Sequence, residues 1–157
     1  MKRLRTWIDR VLEQCLIAIM AVLTLDVLWQ VIARYVLSSP SSWTEELARF
    51  LLIWVSLLGA AYLTGQQAHI AIDVLPRRLT GKRQRRLRTV VQAVVFLFAL
   101  TVLVVGGINL VYVTLTLGQE SPALNIPLGY VYIVLPLSGL LMMYYAAEEV
   151  TNLKTTD

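Results

Sequence analysis

Ser42-Trp43-Thr44-Glu45-Glu46-Leu47-Ala48-Arg49-Phe50 sets two acids and one base at the mouth of an apolar run that continues through Leu51-Leu52-Ile53-Trp54-Val55. Charges in such a place must be solvated, paired or used, because each is costly to leave alone beside hydrocarbon. Working outward, the surrounding chain is mostly lipid-soluble. Of its 157 residues 57% are hydrophobic and only 15% charged, and mean hydropathy is +0.67. That balance belongs to an integral membrane protein, and the fold class it predicts is all-α, with four transmembrane helices in a single membrane domain over residues 1–157.

The four apolar stretches are expected at about 16–37, 45–65, 90–117 and 127–147. The first two flank Ser38-Ser39-Pro40-Ser41-Ser42, a turn in which proline and serines end one helix and open the next. Ser42 or Thr44 can cap span 2, and Glu45 and Glu46 fall in its first turn, where the helix dipole favours negative charge. Span 3 is long enough that it must tilt or protrude. Pro127 suits the first turn of span 4, and Pro136 with Gly139 predicts a bend near its middle.

Basic residues come in blocks. Lys2, Arg3, Arg5 and Arg10 alternate with Leu4, Trp7, Ile8, Val11 and Leu12 in residues 1–13. This spacing marks one helix face, so the segment reads either as an amphipathic helix in the headgroup layer or as a leader continuous with span 1. A cleavable signal peptide fits less well, because the apolar run is too long and leads into Asp26, Gln30 and Arg34. The loop 66–88 holds Arg77, Arg78, Lys82, Arg83, Arg85, Arg86 and Arg88 against one acid, Asp73. The two remaining loops hold no base, so the positive-inside rule puts both termini and loop 66–88 in the cytoplasm. Lys2, Arg3, Arg5, Arg10, Arg77, Arg78, Arg83 and Arg85 are then candidates for lipid headgroup contact.

This topology brings Arg34, near the outer end of span 1, to the depth of Arg49, near the outer start of span 2. Glu45 and Glu46 stand four and three residues before Arg49, within reach on the same helix, and the short turn lets Arg34 join them. The expectation is a neutral quartet that either locks the ends of spans 1 and 2 or serves as an assembly surface. Acids neutralised by arginines are poor proton carriers. Asp26, Gln30 and Arg34 recur every fourth residue and share a side of span 1. A charge at the centre of a lipid-facing helix costs about 2.5–3.5 kcal/mol, so this stripe should face protein or water. Ser56, Asn109 and Ser138 are the polar residues expected near the depth of Asp26, with another subunit as the alternative partner.

Several functions are excluded by what the chain contains. Cys15 is the only cysteine, which rules out a CxxC redox pair, and His69 alone cannot supply paired haem ligands. Asp26 and Asp73 belong to different compartments and cannot act as an aspartyl dyad. No phosphate loop, metal cluster or nucleophile triad is present, so neither an enzyme nor a cofactor is expected, and the net charge of +4 sits in membrane-flanking blocks rather than in a nucleic-acid patch.

Two groups of motifs carry a family resemblance. One comprises Arg34-Tyr35-Val36, Trp43-Thr44-Glu45-Glu46-Leu47-Ala48-Arg49, Trp54 with Leu58-Gly59-Ala60, and His69-Ile70 with Asp73. The other is Ser121-Pro122-Ala123-Leu124, followed by Ile126-Pro127, Gly129-Tyr130-Val131-Tyr132 and Pro136. Spread in order over about two thirds of the chain, they make it resemble the small membrane subunit, the Q subunit or DctQ-like family, of tripartite ATP-independent periplasmic (TRAP) transporters. Asn125 stands where that pattern has glycine, a turn position asparagine tolerates.

The resemblance implies a non-catalytic subunit of a sodium-driven secondary transporter for organic acid uptake in the bacterial inner membrane. The implied partners are a large membrane subunit, which carries the substrate and sodium sites and moves as an elevator, and a soluble periplasmic substrate-binding protein. The small subunit would brace the large one. Its outer loops, with Ser41, Ser42, Trp43, Gln119, Glu120 and Asn125, would help receive the binding protein. Asp26, Gln30, Arg34, Glu45, Glu46 and Arg49 are then the subunit-interface or structural charge cluster. The alternative is a self-sufficient four-span transporter that uses Asp26 as its proton-coupled carboxylate.

Overall fold

In lipid every backbone polar group needs a partner within its own segment, and helices supply one. The computed structural model describes residues 2–37, 41–66 and 82–155, and these are helical nearly throughout. In order the elements are α1 (Lys2–Tyr35), α2 (Ser42–Gly65), α3 (Lys82–Phe98), a π-helical stretch (Ala99–Gly106), α4 (Gly107–Thr116), α5 (Leu128–Tyr132) and α6 (Val134–Thr155). Four helical stretches are long and apolar enough to cross a membrane: Arg5–Tyr35, Ser42–Gly65, Arg86–Thr116 and Leu128–Thr151. The chain is therefore an all-α, multi-pass membrane protein.

The basic leader and span 1 form one uninterrupted helix of 34 residues. At about 1.5 Å per residue it reaches about 50 Å, well beyond a hydrocarbon core of about 30 Å. Leader and span share one helix because no proline or glycine interrupts residues 2–35. Among the described residues most threonine hydroxyls bond within their own helix, as Thr24 does to the Met20 carbonyl, Thr64 to Ala60, Thr101 to Leu97 and Thr151 to Ala147. Each is thereby satisfied in lipid without gluing one helix to another.

The residues fall into two compact units. The first comprises 1–59 and 109–134, and the second 60–108 and 135–157. In the first, Asp26, Ala33, Thr44, Leu58, Thr114, Ser121 and Val131 are buried. In the second, close approach does the packing. A Cβ on Gly139 would lie 2.8 Å from Leu103 Cβ and 3.2 Å from the Ala99 carbonyl oxygen, and one on Gly107 would lie 2.9 Å from Pro136 Cδ. Small residues let helix backbones meet where lipid provides no hydrophobic drive.

Two expectations change in detail. Span 4 is interrupted at Ile133, between α5 and α6, three residues before Pro136. The proline ring removes the N–H that would serve the Tyr132 carbonyl and crowds that oxygen, so the break falls one turn upstream. Gly139 does not make the bend; it lies inside α6 and serves the close contact with Leu103 and Ala99. The π-helical stretch inside span 3 has no precursor in the sequence reading. Arg77, Arg78, His69 and Asp73 lie outside the described residues.

Candidate subunit-docking site

The charged cluster belongs to the first unit and is built from the last turns of α1, the first turns of α2 and the loop after α4. That loop begins with a helix stop. Gly118, at φ +60°, takes the left-handed conformation that glycine alone adopts without cost. Gln119 N–H then donates to the Thr114 carbonyl and Gly118 N–H to Leu115, the paired bonds of a Schellman motif. Beyond it the chain doubles back. Ser121 N–H donates to Ile126 O at 2.9 Å, Leu128 N–H to Gln119 O at 2.9 Å, and Glu120 pairs with Pro127 as an isolated antiparallel bridge. Asn125 turns the loop at φ 52°, a conformation asparagine adopts more readily than most residues.

Glu46 fastens this loop to α2. Its Oε2 accepts the Ala123 N–H at 2.9 Å, and the Ser121 hydroxyl stands beside its carboxylate. Ser121 is 1% exposed, and its Oγ accepts the Leu124 N–H at 3.2 Å. One carboxylate thus organises a turn 77 residues away in sequence. Trp54, two turns further along α2, repeats the device by donating its indole N–H to the Val131 carbonyl at 3.1 Å, in the short helix just before the proline break.

Glu45 points elsewhere. Its Oε1 meets Arg34 Nη2 at 2.8 Å, with both side chains about half exposed, so α1 and α2 are tied at their adjoining ends. Arg49 is exposed and makes no ion pair within 4 Å among the described residues, although its charge is felt at Glu46. The expected quartet is therefore resolved into one Arg34–Glu45 pair, one Glu46 cap on the loop and an unbridged Arg49. The reason is competition: backbone N–H groups in the 117–127 loop offer Glu46 fixed donors, whereas Arg49 lies on its own helix with a long, freely rotating stem.

Asp26 is 8% exposed and accepts from Gln30 Nε2 at 2.7 Å, while the same amide donates to the Thr44 carbonyl at 3.1 Å. The partner is one turn along its own helix rather than Ser56, Asn109 or Ser138; Ser138 donates to Leu135 O and the other two are exposed. Gln30 thus relays Asp26 to the start of α2. Thr44 is not a cap, since its hydroxyl donates to the Ser41 carbonyl at 2.9 Å.

Of the candidate docking residues, Ser41 is half-buried and Ser42, Trp43, Gln119, Glu120 and Asn125 are exposed around this end of the unit. The headgroup candidates are less gathered. Arg5 pairs with Asp9 at 3.8 Å, Arg10 is exposed, and the side chains of Lys2, Arg3, Arg83 and Arg85 lie outside the described set.

Comparison with known proteins decides the family. Residues 23–155 match the model of the DctQ component of tripartite ATP-independent periplasmic transporters. The chain belongs to the DctQ family. It is 29% identical to the sialic acid TRAP transporter small permease protein SiaQ of Vibrio cholerae, over 98% of this chain and 87% of that protein. It is 28% identical to a putative TRAP transporter small permease protein of Haemophilus influenzae, over 99% of this chain and 93% of the other. A third relative, the isethionate TRAP transporter permease protein DctMQ of Oleidesulfovibrio alaskensis, is 31% identical over 93% of this chain, which spans 24% of that longer protein. As a DctQ-family protein the chain is the small membrane subunit of a TRAP transporter, and its relatives are permease subunits.

Proposed function

We propose that this DctQ chain is a non-catalytic brace. It holds the static part of a larger, sodium-driven, elevator-type membrane subunit and helps receive a periplasmic substrate-binding protein during organic acid uptake. The supporting observation is the way the charges are used: Glu46 is bonded to the backbone of the 117–127 loop and Glu45 to Arg34. A carboxylate held by fixed donors keeps a surface in shape; it is not free to load and release an ion. Asp26, bonded to Gln30 and shut away from solvent, serves the same end. The name of the DctMQ relative, of which this chain matches about a quarter, supports pairing with a large permease subunit.

In this reading sodium binds the large subunit and this chain needs no cofactor. It lies in the inner membrane with both termini in the cytoplasm, since the bases cluster in residues 2–10 and 77–88 while the 117–127 loop has none. The Gln119, Glu120, Asn125, Ser42 and Trp43 side chains then face the periplasm. The test is a double charge reversal, Glu45→Lys with Glu46→Lys, read by uptake in cells and by recovery of the large subunit on a tagged chain. Both should fall; full uptake with unchanged co-purification overturns the proposal. Liposomes holding this chain alone should show no transport, and Asp26-dependent transport there would overturn it too.

A further inference from the structure

In the second unit, α3 and α6 leave between them an open-sided cavity of about 460 Å³, walled by Gln92, Ala93, Phe96, Leu97, Ala147 and Val150 among others. All but one of these side chains are apolar. The exception, Gln92, is 8% exposed, and its Oε1 is buried without a hydrogen-bond partner among the described residues. Bulk water does not reach that oxygen, and apolar walls offer a trapped water too few partners to hold it. A buried amide oxygen without a partner at the wall of an apolar cavity is a mismatch, and a ligand would resolve it if the side chain turned to bring the oxygen to the cavity surface.

Charge indicates which ligand. Arg88 precedes Gln92 by four residues and so stands above it on the same side of α3, while Phe96 follows by four and stands below. Arg86 is exposed, Arg88 is half-buried, and neither makes a salt bridge among the described residues. Glu148 and Glu149 on α6 do not line the cavity, and each has an interaction within the protein. Along one face of α3 the order is therefore cation, amide, then apolar cavity. A phospholipid has the matching order: phosphate, glycerol with its ester carbonyls and headgroup hydroxyls, then acyl chain. A side-chain amide serves either kind of group, its NH2 an ester carbonyl and its oxygen a hydroxyl.

We propose that this cavity is a binding site for one anionic phospholipid, with the phosphate at Arg88 and Arg86, the glycerol region at Gln92 and an acyl chain against Phe96 and Val150. Basic residues above a cavity between transmembrane helices suit such a headgroup in either leaflet. The site does not depend on the bracing role.

The experiment reconstitutes the full chain, alone and with its large subunit, in phosphatidylcholine nanodiscs. These contain a trace of phosphatidylglycerol whose acyl chain bears a diazirine, and cross-links are mapped by mass spectrometry. Labelling should concentrate on the segments around Phe96 and Val150, and unlabelled phosphatidylglycerol should compete where phosphatidylcholine does not. Arg88→Gln should lower labelling about fivefold, the worth of one basic residue at an anionic headgroup. Ala147→Trp, which fills the cavity, should remove it. Gln92→Leu should keep or raise the thermal midpoint while lowering labelling, which separates loss of ligand from loss of fold. Equal labelling by a phosphatidylcholine probe, indifference to Ala147→Trp, or labelling that disappears once the large subunit is present would overturn the proposal. The last outcome would mean that protein fills the cavity.

Discussion

Two regions of this protein hold their helices mainly by different means, although Gly129 fits closely against Leu115 in the first as well. Around Glu46 the contacts are polar and directional: Glu46 with Ala123, Arg34 with Glu45, Gln30 with Thr44, Trp54 with Val131. Around Gly139 they are steric, with Gly65 against the Tyr145 ring, Gly107 against Leu135 and Pro136, and Gly139 against Leu103, Val104 and Ala99. The difference follows from the surroundings. Lipid tails are as apolar as leucine, so within the bilayer helices gain by fitting closely, whereas at a loop-bearing end unpaired backbone donors are available to be captured.

If that contrast is right, the largest single effect should come from the steric region. Gly139→Val puts a Cβ 2.8 Å from Leu103 Cβ and brings further bulk against Val104, so the helices must separate. We expect destabilisation of about 3 kcal/mol, visible as a lower thermal midpoint in detergent; a midpoint within error of the parent would break the account of close packing. Next comes Glu46→Ala, which strands the Ala123 N–H. The cost should be about 1–3 kcal/mol, as for a bond to a charged group. Faster proteolysis confined to residues 117–127 would distinguish it from the global loss in Gly139→Val.

Smaller again is Trp54→Phe, which keeps an aromatic ring, though a smaller one, and removes the donor to Val131. Polar bonds between transmembrane helices average about 0.6 kcal/mol, so hydrogen exchange in the Leu128–Tyr132 helix should rise while the midpoint barely moves. The smallest effect belongs to Arg34–Glu45, because the pair is about half exposed on both sides. A double-mutant cycle of Arg34→Gln with Glu45→Gln should return a coupling of about 0.5 kcal/mol or less, weakening with salt. A coupling above that of Glu46 with its loop would reverse the ranking.

Much of the candidate site was legible because it lies in short, locally coded motifs. Glu45 and Glu46 fall in a first helical turn, and Asp26, Gln30 and Arg34 share a face by spacing alone. The division of labour between the two glutamates was not legible. Adjacent residues on a helix point about 100° apart, and which of them meets Arg34 depends on how α1 and the 117–127 loop come to rest beside α2. Nor does local patterning reveal that Gln30 would answer both Asp26 and the Thr44 carbonyl, or that Arg49 would stand without an ion pair among the described residues.

What the sequence determined by itself was therefore the all-α membrane class, the four spans, the basic blocks and the family motifs. All of these are set by hydrophobic length, charge distribution and residue order, which need no partner to take effect. The tertiary structure alone decided the close fit at Gly139 and the capture of the loop by Glu46. Each of these depends on atoms brought together from distant parts of the chain. Glu46 and Ala123, 77 residues apart, meet only once the helices between them have packed.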